Sequence, residues 1–241
     1  MTRRNYRNNL AFIEAGFNAC WHNTQDLVKG AKVLLDNSLH PLALSTSVLA
    51  LEELGKLFCI DGLLFARTDD HKAEAFAKSM KSHSIKLSAL ELVPLLLGHI
   101  ASVDPRYRNE PRFGQALVVS ISDLKERGNH VLSLLEGGSF HGLDQWKQSG
   151  LYSQPRGNSF VTPADAVERQ VAEAVYGLAW RASSTLDFLL KEGNLERYMT
   201  SARVLRSKLS EEDHRSIEAH ATHVFTELFA IEGDCEDETS H

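Results

Sequence analysis

The stretch STSVLALEELGKLFCI, residues 45–60, is helical in composition and apolar almost all round. Glu52, Glu53 and Lys56 sit at its centre and are the only charged residues between Pro41 and Ile60. A helix apolar on every side is built for burial. A buried carboxylate without a partner costs several kcal/mol, so these acids are paired or protonated. On a helix, positions three and four apart share a face. Glu53 has Leu49 and Leu57 four residues away and so stands in an apolar stripe. Glu52 lies about 100° further round, beside Val48 and Lys56. Lys56 reaches either acid, at i+4 from Glu52 or i+3 from Glu53. Gly55 costs about 1 kcal/mol relative to alanine inside a helix. Its missing side chain lets another helix come close.

Working outward, helical signals dominate. A first helix is expected over residues 10–35, broken by DNSLHP, because the residue before a proline is pushed out of the α region. A second runs from about Pro41, a suitable first-turn proline, to Phe65. Asp69 or Asp70 can cap a third, carrying Phe76, His83, Ile85, Leu87 and Leu90, which Pro94 kinks or ends. SVDPRYRNEPRFG reads as a loop. A fourth helix covers about 115–135. Residues 139–161 read as long and irregular, without alternating strands or a hairpin dipeptide. TPADAVE starts a fifth helix, with Thr162 as cap, that runs to about Leu190. One or two more helices fill 195–229. The fold class expected is all-α, one bundle over 1–192, a C-terminal helical extension over 193–231 packed on it, and an acidic solvated tail over 232–241.

The bulk numbers agree with a soluble globular chain. It has 241 residues, 43% hydrophobic and 24% charged, with a net charge of -6. That acidity argues against a broad nucleic-acid patch, though not against a local basic groove. Three scattered cysteines without a C-x-x-C pair suit a reduced, cytoplasmic protein. The basic start MTRRNYRNN is not followed by a signal-peptide core. The longest uncharged run, Pro41 to Leu51, is far short of the roughly 20 residues a membrane span needs.

A second stretch, KSMKSHSIKLSAL, residues 78–90, places His83 and Lys86 three apart on a helix, with Lys78 and Lys81 nearby. An antiparallel third helix would bring His83 and Lys86 beside Glu53 and Lys56. A carboxylate, an imidazole and two ammonium groups then converge, a set suited to acid–base work on a phosphodiester or to holding an anion. The blander readings are a structural ion pair around Glu53 and a satisfied or exposed helix histidine. His220, His223 and Glu227 share a helical face, but a solvated polar face explains them better than a metal. Nothing matches a P-loop, a dinucleotide fingerprint, H-E-x-x-H or G-x-S-x-G. Cys59, on the apolar helix, reads as a buried small side chain.

Together these residues resemble a known family. ALSTSVLALEELGK, ending at Lys56, is similar to the E-E-x-G-K signature of AbiV-type abortive infection proteins, part of the HEPN superfamily of helical bundles. NACWHNTQDLVKGAKVLLDN is similar to the family's first helix. HSIK, His83 to Lys86, matches its H-x-x-K element. WKQSGLYSQPRGNSFVTP, residues 146–163, resembles its K-x-x-G-L-Y-x-D loop, except that Ser153 and Gln154 stand where the family usually has an aspartate after the tyrosine. Order and spacing agree over about residues 8–190. The resemblance implies a bacterial anti-phage protein of the cytoplasm, commonly dimeric. It also implies kinship with metal-independent ribonucleases that pair an arginine and a histidine with four to six residues between them. Arg215 and His220 are such a pair, although chance alone supplies about two in a chain of this composition. The expected site is Glu53, Lys56, His83, Lys86 and Glu52, with Arg215 and His220 as a weaker pair. In the ribonuclease reading His83 is the general acid/base, Lys56 and Lys86 hold phosphate, and Glu53 orients Lys56 or His83. No cofactor and no metal is expected. The expected partners are a second copy of the chain, RNA (tRNA, rRNA or mRNA) and a phage-encoded activator protein. The alternative is a non-catalytic helical module that binds a phage or host protein.

Overall fold

The computed structural model describes residues 10–65, 82–102, 104–135, 138–190 and 194–208, with 210 and 212. The architecture is all-α. Helix α1 (Leu10–Asp36) is followed by α2 (His40–Phe65). A proline does not end α1. Ser38 takes φ 58, and the chain closes as Ser38 N donates to Leu35 O at 2.9 Å and Leu39 N to Leu34 O at 2.9 Å. This paired closure is how a left-handed residue satisfies the last carbonyls of a helix. Pro41 then sits in the first turn of α2, where its missing N–H costs nothing.

Helix α2 is the central rod. Leu44, Val48, Leu51, Leu54 and Leu57 are buried, and so is Cys59, as its apolar surroundings suggested. It packs against α1 and against most of the helices that follow. These are α3 (His83–Ser88), α4 (Val93–Ser102), α5 (Pro105–Asn109), α6 (Pro111–Leu134), α7 (Leu143–Leu151), α8 (Pro163–Ala166), α9 (Arg169–Leu190) and α10 (Asn194–Lys208). The expected cap at Asp69 or Asp70 lies outside the described residues. Pro94 neither kinks nor ends a helix. A 3₁₀ turn over Ala89–Leu92 separates α3 from α4, and Pro94 occupies the first turn of α4.

Two expected loops are structured. In SVDPRYRNEPRFG, Asp104 caps α5 by accepting from Arg106 N at 2.9 Å, and Pro105 and Pro111 each open a helix. Prolines that read as breakers are first-turn residues here. Residues 139–161 hold a 3₁₀ turn (Phe140–Gly142), α7, and a hairpin of β1 (Gln154–Arg156) and β2 (Ser159–Val161). Gly157, with φ +60, supplies the turn between two strands of three residues, too short and too exposed for alternation to mark them. The fifth expected helix is split at Val167–Glu168 into α8 and α9. Leu195, Tyr198, Met199 and Ala202 of α10 are buried with the rest of the core. Among the described residues no helix is long and apolar enough to cross a membrane.

Candidate functional site

Glycines decide what meets the charged centre of α2. At Gly55 a Cβ would overlap the Lys86 carbonyl group, 2.7 Å from its carbon. The backbone of α3 therefore crosses α2 one turn past Glu52, and only glycine permits it. At Gly150 a Cβ would stand 2.6 Å from Pro41 O and overlap Ser45 Oγ. This close approach lays α7 along the first half of α2, where Ser45 Oγ donates to Lys147 O at 2.9 Å. Between these two crossings sits Glu52.

The Glu52 carboxylate is almost sealed, with 3% of its side chain exposed, and it has three partners. Lys147 Nζ donates to Oε1 at 2.6 Å, and Lys86 Nζ donates to Oε2 at 3.0 Å. His83 Nδ1 stands 2.7 Å from Oε2. Lys86 and Lys147 are themselves buried, at 5% and 3%. Lys147 also pairs with Asp144 Oδ1 at 2.6 Å. His83 is the open member, its side chain 51% exposed. The Glu52 carboxylate and the ammonium groups of Lys147 and Lys86, 3.1 and 3.5 Å away, all meet the same Nδ1. With a proton on Nδ1 the imidazole donates to Glu52, and with a bare Nδ1 it accepts from Lys147. Nothing among the described residues bonds Nε2. This is the arrangement that orients a histidine for proton transfer.

Burial alone would raise the Glu52 carboxyl, but the donors Lys147, Lys86 and His83 outweigh it and hold it below the usual carboxylate range. Burial pulls the Lys147 ammonium down, while bonds to Asp144 and Glu52 win and raise it. Both groups stay charged at neutral pH.

The expected site held both Glu52 and Glu53, and the structure gives the two acids different partners. Glu53 and Lys56 pair with each other on a half-buried face, i and i+3. Glu53 also accepts from the Cys20 thiol of α1, whose pKa burial and that carboxylate push up to about 12. Glu52 is the acid that meets His83 and Lys86. Lys86 is spent on Glu52 and buried, so it has no free ammonium for a phosphate. Lys147 and Asp144 were missed as site residues, although Lys147 and Gly150 stand together in the quoted WKQSGLYSQPRGNSFVTP. A lysine followed by a glycine three residues on was the available signal. Lys78, Lys81, Arg215, His220, His223 and Glu227 lie outside the described residues. Among the described residues, ligand atoms of Glu52, His83 and Asp144 lie within 4.8 Å of one another, the spacing of a possible metal set. Lys147 Nζ is in contact with all three of these residues.

The family model for AbiV, of HEPN type, matches residues 12–182. The chain belongs to the AbiV family. Every member of the cluster, from Glu52 to Lys147, falls inside the AbiV match, and α10 falls outside it. AbiV membership makes this an abortive-infection protein of the HEPN type. No curated protein and no solved structure shows a significant match to the chain.

Proposed function

We propose that this AbiV-type protein blocks phage growth by metal-independent cleavage of RNA, with His83 as the proton-transfer residue. One observation carries the reading. His83 is the most open group of a largely buried cluster, with Nδ1 beside Glu52 and no described residue bonded to Nε2. In the reaction Nε2 takes the proton of a ribose 2′-hydroxyl, and the 2′-oxygen attacks the adjacent phosphorus. The bond from phosphorus to the 5′-oxygen breaks, that oxygen leaves with a proton from solvent, and a 2′,3′-cyclic phosphate remains. Glu52 stabilises the imidazolium that forms. Lys86 and Lys147 act through Glu52 by keeping it ionised and fixed. Lys56, partly exposed, is the candidate phosphate ligand. The RNA is a tRNA, rRNA or mRNA, the acting form is a homodimer in the cytoplasm, and a phage-encoded protein supplies the trigger.

A second reading has its own observation. Glu52, Lys86 and Lys147 tie three helices together with almost no solvent access, which suits a polar lock in a module that binds a phage or host protein. RNA ends mapped in phage-infected cells separate the two, comparing wild type with His83→Ala at matched folded levels. New 2′,3′-cyclic phosphate ends in wild type, lost in the variant, support cleavage. Protection without new ends in either protein overturns it and favours the lock.

A further inference from the structure

We infer that Glu52, His83 and Asp144 form a cation site whose resident cation is the Lys147 ammonium. The nitrogen lies 2.6 Å from Glu52 Oε1, 2.6 Å from Asp144 Oδ1 and 3.1 Å from His83 Nδ1. Two carboxylates and an imidazole, one residue from each of α2, α3 and α7, are the ligand types and the number that a zinc ion takes when it keeps one open position. Their atoms are within 4.8 Å of one another, and zinc bonds of about 2.0–2.2 Å require them to close in only modestly. The lysine arrives on the same helix as Asp144, three residues on, so the cation comes with one of its own ligands.

The charges close without help. Glu52 and Asp144 face Lys86 and Lys147, two against two. Removing the Lys147 ammonium leaves two carboxylates against one ammonium, next to the space the lysine side chain vacates. Both Asp144 and His83 reach solvent, so an ion has a way in. To ligate it, His83 presents a bare Nδ1 and carries its proton on Nε2. A tethered ammonium cannot dissociate, so the native site holds its charge whatever the metal supply. This inference concerns how the cluster is built, and it stands whether or not His83 cleaves RNA.

The test is thermal unfolding of the full chain with and without ZnCl2, for wild type, Lys147→Ala and Lys147→Ala/Asp144→Asn. Zn2+ is expected to raise the melting temperature of Lys147→Ala in a concentration-dependent way and to leave wild type unmoved. The double variant loses most of that rise. Co2+ in place of Zn2+ gives visible absorption bands with Lys147→Ala alone. A folded Lys147→Ala that ignores both ions overturns the inference. So does a wild type that binds Zn2+ at this site as tightly as the variant. If Lys147→Ala folds only with Zn2+, the inference is upheld. If neither it nor Lys147→Ser folds even with Zn2+ present, the vacated site does not accept the ion and the inference fails.

Discussion

His83 and Glu52 sit in one cluster but carry different loads. His83 is half exposed and contributes one link, so His83→Ala should cost roughly 1 kcal/mol of stability in urea unfolding. It should abolish phage protection if the proton-transfer reading is right. Glu52→Ala strands the buried Lys86 ammonium, leaves Lys147 with Asp144 alone, and should cost about 3–5 kcal/mol, seen as a lower urea midpoint. The pH dependence has a definite sign. The folded state holds the Glu52 carboxyl below its ordinary value, so its stabilisation is full above the unfolded pKa of about 4.3. It is lost as pH falls through the folded value. The stability gap between wild type and Glu52→Gln should therefore be wide at pH 6 and shrink on acidification below about pH 4. A gap that does not narrow would mean the carboxylate is not what holds the lysines. Lys147 behaves oppositely. Its raised pKa gives stabilisation that is full below about pH 10.4 and fades as pH rises through the folded value.

At the scale of elements, the cluster depends on two crossings in which a backbone takes the place of a side chain. Gly150→Ala puts a methyl into Ser45 Oγ and Pro41 O, so α7 must lift from α2 and carry Lys147 away from Glu52. The expected result is a loss of about 1–3 kcal/mol, the usual cost of overpacking, with protection falling as well. Gly157→Ala is the contrast. It forces a side chain into a left-handed turn at about 1–2 kcal/mol, but in an exposed hairpin clear of the cluster. Equal urea midpoints with protection lost only in Gly150→Ala would show that α7 positions the site. Equal loss of protection would sink that idea. The long helices were legible because their apolar periodicity runs for many turns. The short ones were not. Pro105 and Pro111 read as breakers because a proline ends one helix and opens the next with the same chemistry. Only the backbone path tells which.

For the whole molecule, the AbiV match ends at residue 182, yet the core does not. Helix α10 buries Leu195, Tyr198, Met199 and Ala202, and the Tyr198 hydroxyl donates to Asp61 deep in α2. Burial and the nearby Asp61 carboxylate raise the Tyr198 phenol far above its ordinary value, so it stays a donor. Tyr198→Phe should cost about 1–3 kcal/mol by removing a donor from a buried carboxylate. A circular-dichroism melt that matches wild type would show that α10 is an accessory to the fold. The sequence by itself determined the all-α class and the burial of the 45–60 helix, and it nominated the acids there with the histidine and lysine of HSIK as one site. Apolar periodicity, the cost of buried charge and helical spacing are local properties, readable along the chain. It did not determine which of Glu52 and Glu53 turns inward. Adjacent residues lie about 100° apart, and either choice satisfies the same local pattern. Tertiary structure made that choice. The close crossings at Gly55 and Gly150 brought Lys86 and Lys147, 34 and 95 residues away, onto Glu52, and a buried carboxylate goes where ammonium groups can reach it.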